Sequence, residues 1–341
     1  MTGEEIGRKN TERTNRGRGK LRIPMNWVRL LVSVGALVIL FWKIGLSETV
    51  AVLQQADLRY WLAGLVLFLL SLFVRACRWR VLIQGLGLHV PFGRLIQLYF
   101  VGAFFNAFLP SQFGGDVVRA LELTQDTDSA VAVGTVLLDR MSGLLVLFAM
   151  GLGVLPFYAG YMPPSLTVLI LVVAAGGLTV GALILQGHLL RRWTACFPSI
   201  LSLGGEGPLA KIYAAVTGCG RQAVWRAAAI SLAFNLLNIL INWLCSRTVG
   251  ASVHLGYFFA VTPLLSVAGM IPSMGGWGVR EAVSTVIFTP LGVDANVAAA
   301  IGLALGGINL TTGLIGGLLY GLQSIIALRR SPRTTPSENR R

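Results

Sequence analysis

Residues 109–119 read LPSQFGGDVVR, and residues 271–281 read IPSMGGWGVRE. Each stretch follows a strongly apolar run. Each carries a proline, a serine, a glycine pair and an arginine in the same order. Proline has no N–H to continue a helix and stops the one before it. A glycine pair permits positive φ and close backbone approach. In lipid, backbone that leaves a helix needs partners for its N–H and C=O groups, so such a break survives only in protein or beside a polar cavity. Two matching breaks call for one explanation.

The surrounding chain is hydrophobic throughout. Of its 341 residues 55% are apolar and only 12% charged, with a mean hydropathy of +0.72. Soluble domains carry about 25% charged residues. Several apolar runs reach the roughly 20 residues that cross a bilayer. The chain therefore reads as an all-α polytopic membrane protein. Its first run, 27–46, is long for a signal peptide and lacks a small-residue cleavage site, so it is expected to remain as an anchor.

The pattern predicts six full spans, at 27–46, 60–82, 129–157, 164–187, 224–248 and 294–327. Two interrupted segments lie between them, at 92–125 and 255–290. Residues 1–22 and 329–341 are polar and basic and read as cytoplasmic tails flanking one transmembrane domain, 23–328. A basic loop of about 35 residues joins the spans at 164–187 and 224–248.

The net charge of +14 suggests nucleic acid at first sight. Its distribution argues otherwise. Most Lys and Arg fall in the two tails, in 75–94 and in 187–226. Those are the segments a positive-inside count places in the cytoplasm, where they also meet anionic head groups. Both termini then lie inside, in a cell membrane, and no nucleic-acid partner is expected. Cys77, Cys196, Cys219 and Cys245 show neither metal spacing nor a disulfide framework.

With this topology each interrupted segment dips into the membrane and returns as a re-entrant hairpin. The chain becomes two halves, about 23–160 and 161–328, each a span, a span, a hairpin and a span. One half starts inside and the other outside. The starts of the third and last spans also match, DSAVAVGTVLLDR at 128–140 and DANVAAAIGLALGG at 294–307. Inverted repeats with broken helices at matching places point to a transporter-like architecture with its site at the repeat interface.

Each glycine pair is expected to precede a restarting helix whose N-terminus favours an anion. Arg119 and Arg280 lie about a turn further on and suit bidentate contacts to a phosphate or carboxylate. The plainer alternative is packing, with either arginine neutralising Asp116, Glu122 or Glu281. Asp139 and Arg140 sit inside a span, where charge is expensive and marks function or pairing. Arg140 is expected to meet Asp116 or Glu281. Asn235, Asn238 and Asn242 share one helix face, which fits either inter-helix hydrogen bonds or a cavity lining. Asn106 and Asn309 pose the same alternative. Arg75, Arg78 and Arg80 with Trp79 read as a membrane-edge anchor or as an access point for anionic head groups. No nucleotide loop, metal motif or nucleophile elbow occurs, so neither an enzyme nor a cofactor is expected.

Asn106-x-x-Leu109-Pro110, Gly114-Gly115-Asp116-x-x-Arg119, Asp139-Arg140-x-x-Gly143 and IPSMGGWGVRE together resemble a known family. It is the flippase-like integral membrane domain of lysylphosphatidylglycerol synthases, or multiple peptide resistance factors, which also occurs alone. The resemblance covers nearly the whole chain between the tails. It implies lipid movement between leaflets without a soluble synthase activity. The positions it carries over are Asn106, Pro110, Gly114, Gly115, Asp116, Arg119, Asp139, Arg140, Pro272, Gly275, Gly276, Gly278 and Glu281. Ser111, Ser273 and Arg280 complete the candidate substrate site. Met274 departs from a frequent proline, and Asp139 from a frequent glutamate. The expected function is a flippase moving an anionic or aminoacylated phospholipid by alternating access. The alternatives are a partner that presents lipid to a separate lipid-modifying enzyme, or a membrane-embedded enzyme.

Overall fold

A computed structural model describes residues 54–109, 113–186, 207–273 and 276–330. The span expected at 27–46, both tails and most of the basic loop lie outside these residues. The described residues form ten α-helices and no strand. These are α1 (Leu58–Gly85), α2 (Phe92–Phe108), α3 (Gly114–Leu123), α4 (Ser129–Tyr158) and α5 (Pro164–Gln186). They continue with α6 (Pro208–Thr217), α7 (Arg221–Thr248), α8 (Leu255–Ala268), α9 (Val279–Phe288) and α10 (Ala295–Arg330).

Five helices, α1, α4, α5, α7 and α10, are long and apolar enough to cross a membrane. Their outward residues are apolar as well: Val66 and Val172 are each 62% exposed and Leu318 69%. Apolar surface on this scale, spread along several helices, suits lipid and not water. The protein is a multi-pass membrane protein. The starts follow from local chemistry. Asp57 caps α1 through the Arg59 N–H at 2.9 Å, and Asp128 caps α4 through the Ala130 N–H at 2.8 Å. Asp294 caps α10 in the same way through the Asn296 N–H, also at 2.8 Å. Such a carboxylate satisfies an amide that the helix leaves unpaired.

Both interrupted segments are helix–break–helix units. α2 and α3 have 17 and 10 residues, α8 and α9 have 14 and 10. None reaches the ~20 residues of a full span. Each unit ends beside its own beginning. Arg94, at the start of α2, pairs with Glu122 at the end of α3 at 3.0 Å and with Asp126 at 3.5 Å. Tyr257, at the start of α8, donates its hydroxyl to the Ile287 carbonyl at the end of α9 at 2.9 Å.

The two halves pack as images of each other. Exchanging α1 with α7, α2 with α8, α3 with α9 and α4 with α10 reproduces the packed pairs among these eight helices. α1 and α7 run antiparallel along their length. The Asp57 N–H donates to the Thr248 carbonyl at 2.8 Å at one end, and Gly85 lies against Cys219 and Ala223 at the other. Because α2 follows the end of α1 and α8 follows the end of α7, the two broken units approach from opposite ends of the bundle. Each half has its own apolar core. Leu72, Trp79, Leu95 and Leu98 fill one, and Ile239, Phe258, Val261 and Phe288 the other.

One expectation is corrected. Residues 208–217, read as part of a loop, form α6. Pro208 stands at the first helical position, where its missing N–H costs nothing. The helix packs on α4 at Gly134, and its Tyr213 hydroxyl donates to the Ile184 carbonyl of α5 at 3.0 Å.

Small residues let α10 pack closely on α2, as is usual between membrane helices. A side chain at Gly316 would run into the Phe100 backbone, whereas Gly321 faces open space. Gly316→Leu is expected to cost about 3 kcal/mol, the upper end of ordinary overpacking, with Gly321→Leu near neutral. Thermal unfolding in detergent reads the difference.

Candidate functional site

The site is built around Asp139, which is 1% exposed in the interior of α4. Its carboxylate accepts from Arg78 Nε of α1 at 2.8 Å, from Arg119 Nη2 of α3 at 3.2 Å and from the Tyr99 hydroxyl of α2 at 2.5 Å. One carboxylate thus joins the four described helices of the first half. Arg119 also reaches Asp116 Oδ1 at 3.0 Å, and Asp116 accepts from Arg140 through its other oxygen. The expected pairing of Arg140 with Asp116 is present, as is neutralisation of Arg119 by Asp116.

Aromatic faces complete the arginine cluster. The Arg119 guanidinium lies 3.8 Å from the centre of the Tyr99 ring and 4.2 Å from that of Trp79. Arg75 lies over Tyr99 at 4.9 Å and over Phe234 of α7 at 5.5 Å. Rings in this position attract a cation through their negative faces. Arg78 crosses to the second half, donating to the Ser231 hydroxyl at 3.2 Å.

The breaks hold their own backbone. At the first, Asn106 accepts the Gly115 N–H at 2.7 Å, and a methyl group at Gly115 would strike the Gly102 carbonyl. Neither Gly114 nor Gly115 has positive φ. The glycine is needed for close approach, because the helix begins on the pair itself and not after it. At the second, Gly276 and Gly278 have φ of 83° and 81°. The Gly278 N–H donates to the fully buried Glu281 carboxylate at 2.6 Å. The restarting helices were expected to present free N–H groups to a ligand. Instead each uses one of its first donors on a side chain of the protein.

A cavity of about 240 Å³ lies between the halves. Five arginines line it, Arg75, Arg78, Arg119, Arg140 and Arg280, with Asp116 and Asp139. Asn106, Asn235, Asn238 and Asn309 add neutral polar groups. A smaller cavity of about 150 Å³ shares Asn238, Asn309 and Arg280 and continues to Asn242 and Gly269. Of the sequence candidates, Asn106, Asp116, Arg119, Asp139, Arg140 and Arg280 line the larger cavity. Gly114, Gly115, Pro272, Ser273, Gly276, Gly278 and Glu281 do not. Pro272 is exposed, and Ser273 is buried against the Ile271 carbonyl. Pro110, Ser111 and Gly275 lie outside the described residues.

The asparagine face of α7 divides between the two alternatives set by the sequence. Asn235 donates across to the Gly143 carbonyl of α4 at 2.9 Å and Asn242 only to the Asn238 carbonyl of its own helix at 2.8 Å, while Asn235 and Asn238 also line the cavity. In the sequence Arg75 and Arg78 read as a membrane-edge anchor or head-group access point and not as part of the substrate site, and Tyr99 is not singled out. The signal was available in RACRWR: Arg75 and Arg78 are three residues apart and share a helix face. Arg80, off that face, is exposed.

The halves differ chemically. Aligning the capping residues Asp128 and Asp294 sets Asp139 and Arg140 opposite Leu305 and Gly306. Arg280 is the counterpart of Arg119, and it packs against Gly306 with Trp277 beside it.

A family model described as "Lysylphosphatidylglycerol synthase TM region" matches residues 26–317. The chain is also 22% identical over 311 residues to "UPF0104 membrane protein PH1989" of Pyrococcus horikoshii, an alignment covering 81% of this chain and 90% of that protein.

Asp139→Asn would leave Arg78 and Arg119 buried without their shared anion. Breaking a buried ion pair in this way costs about 3–5 kcal/mol. The variant is expected to melt well below the parent in the same detergent, and Asp139→Glu to recover part of the loss.

Proposed function

The chain belongs to the lysylphosphatidylglycerol synthase transmembrane-region family, and on that footing we propose that it moves a lipid with an anionic or aminoacylated head group between membrane leaflets. The observation that carries this reading is the cavity: five arginines and two aspartates line one polar space between the two halves. Intramembrane charge on this scale marks a substrate pathway by default. A head group enters this polar space while its acyl chains stay in the bilayer.

The fold supports the mechanism. In this reading the protein has six spans and two re-entrant hairpins in inverted halves, within a cell membrane. Arg80, Arg94, Lys211, Arg221 and Arg226 gather toward the end where α1 stops and α7 starts. A positive-inside count makes that end cytoplasmic and puts both termini there. The broken helices then come from opposite leaflets, and rocking one half against the other exposes the same arginines to each side in turn. The protein acts as a transporter and not as an enzyme.

Purified protein in vesicles, with a fluorescent anionic phospholipid and a membrane-impermeant quencher, tests the proposal. Wild type is expected to equilibrate the probe between leaflets. Loss of one charge-assisted hydrogen bond is worth about 1.5–3 kcal/mol, so Arg280→Ala is expected to slow exchange at least about tenfold. Equal rates in a folded Arg280→Ala protein would remove Arg280 from the path. No exchange by wild type would sink the transport reading.

A further inference from the structure

The charges around the cavity do not balance. Asp139 is shared by Arg78 and Arg119, and Asp116 by Arg119 and Arg140. Three guanidinium groups therefore meet two carboxylates. Arg280 has Glu281 as its neighbour in sequence, buried behind the cavity wall. Arg75 lines the cavity and has no carboxylate within ion-pair distance among the described residues. Its contacts are ring faces, and its buried Nε has no hydrogen-bond partner. With Glu281 set against Arg280, two positive charges at the cavity exceed the carboxylates of the described residues.

Charge held away from water is stable only when matched by opposite charge and hydrogen bonds. The matching ligand carries two negative charges and several acceptor oxygens. A phosphodiester brings one such charge, and an aminoacylated lipid adds ammonium groups that face the wrong sign. A phosphomonoester carries about two negative charges near neutral pH, and a diphosphate at least as many. Arginine forks suit the paired oxygens of such groups. We propose that the cavity selects a doubly charged phosphate, a phosphomonoester or diphosphate head group on a lipid, with Arg75 as its principal ligand. This rests on the lipid-transport reading above and narrows its substrate.

The full-length protein is reconstituted in phosphatidylcholine vesicles doped with phosphatidic acid, phosphatidylglycerol or lysylphosphatidylglycerol. Exchange is measured for each lipid, and bound lipid is identified by native mass spectrometry. Inorganic phosphate and pyrophosphate are added separately in thermal melts to detect a soluble ligand of the same chemistry. Phosphatidic acid is expected to be preferred over phosphatidylglycerol at least about tenfold, a modest factor for an extra unit charge beside a guanidinium in a protein-like dielectric. Arg75→Gln and Asn238→Asp each lower the charge excess by one, from different helices, and both are expected to erase that preference. Equal handling of the two lipids by a transporting wild type overturns the doubly charged head group and leaves lipid transport standing. A preference that survives in both variants overturns Arg75 and the charge-excess argument. Stabilisation by phosphate or pyrophosphate without exchange of any lipid overturns the lipid source and the transport reading together.

Discussion

A carboxylate enclosed by apolar helices has to be neutralised where it stands, and Asp139 sets this requirement for the bundle. Arg78, Arg119 and Tyr99 must all reach it, so α1, α2 and α3 are held to α4 at one point. The ring faces of Tyr99 and Trp79 then support Arg119, and Asp116 ties in Arg140. Lateral packing alone would leave these helices free to slide, since lipid is as apolar as the side chains it competes with. The ion network fixes their register.

Symmetry of packing coexists here with asymmetry of charge. Helix pairs recur across the two halves, and Asp128 and Asp294 cap equivalent helices in the same way. Yet the residues opposite Asp139 and Arg140 are Leu305 and Gly306. The first half is stapled by ion pairs. In the second, Glu281 holds the break through the Gly278 amide, and Gly306 makes room for Arg280.

Much of the fold was legible in the sequence. Hydrophobic run length placed α4, α5, α7 and α10 within a few residues, and the proline–glycine breaks located both interrupted units. Lipid demands long apolar runs and punishes broken ones, so these signals are strong. The site was legible in part. Arg119, Arg140 and Asp116 announced themselves as charges amid apolar residues. Arg75 and Arg78 were legible as a cluster but not as part of the site, because arginines at the end of a span either snorkel to the surface or turn inward. For Arg78 the choice is made by Asp139, 61 residues further on in the chain. The helix starts are less open than expected for a related reason: Asn106 takes the Gly115 amide and Glu281 the Gly278 amide, and only their three-dimensional proximity reveals it.

Every member of the Asp139 network lies between residues 78 and 140. Both carboxylates that pair with Arg78, Arg119 and Arg140 are therefore in place while the rest of the chain is still being synthesised. Once α4 has entered the membrane, Arg78 of α1 and Arg119 of α3 have their shared anion, whereas Arg75 has no carboxylate within ion-pair distance among the described residues. Arg280 arrives later, with its carboxylate neighbour next in line on the ribosome. The order of charges along the chain thus doubles as an order of assembly, in which the ion pairs of the first half can form before the second half is made.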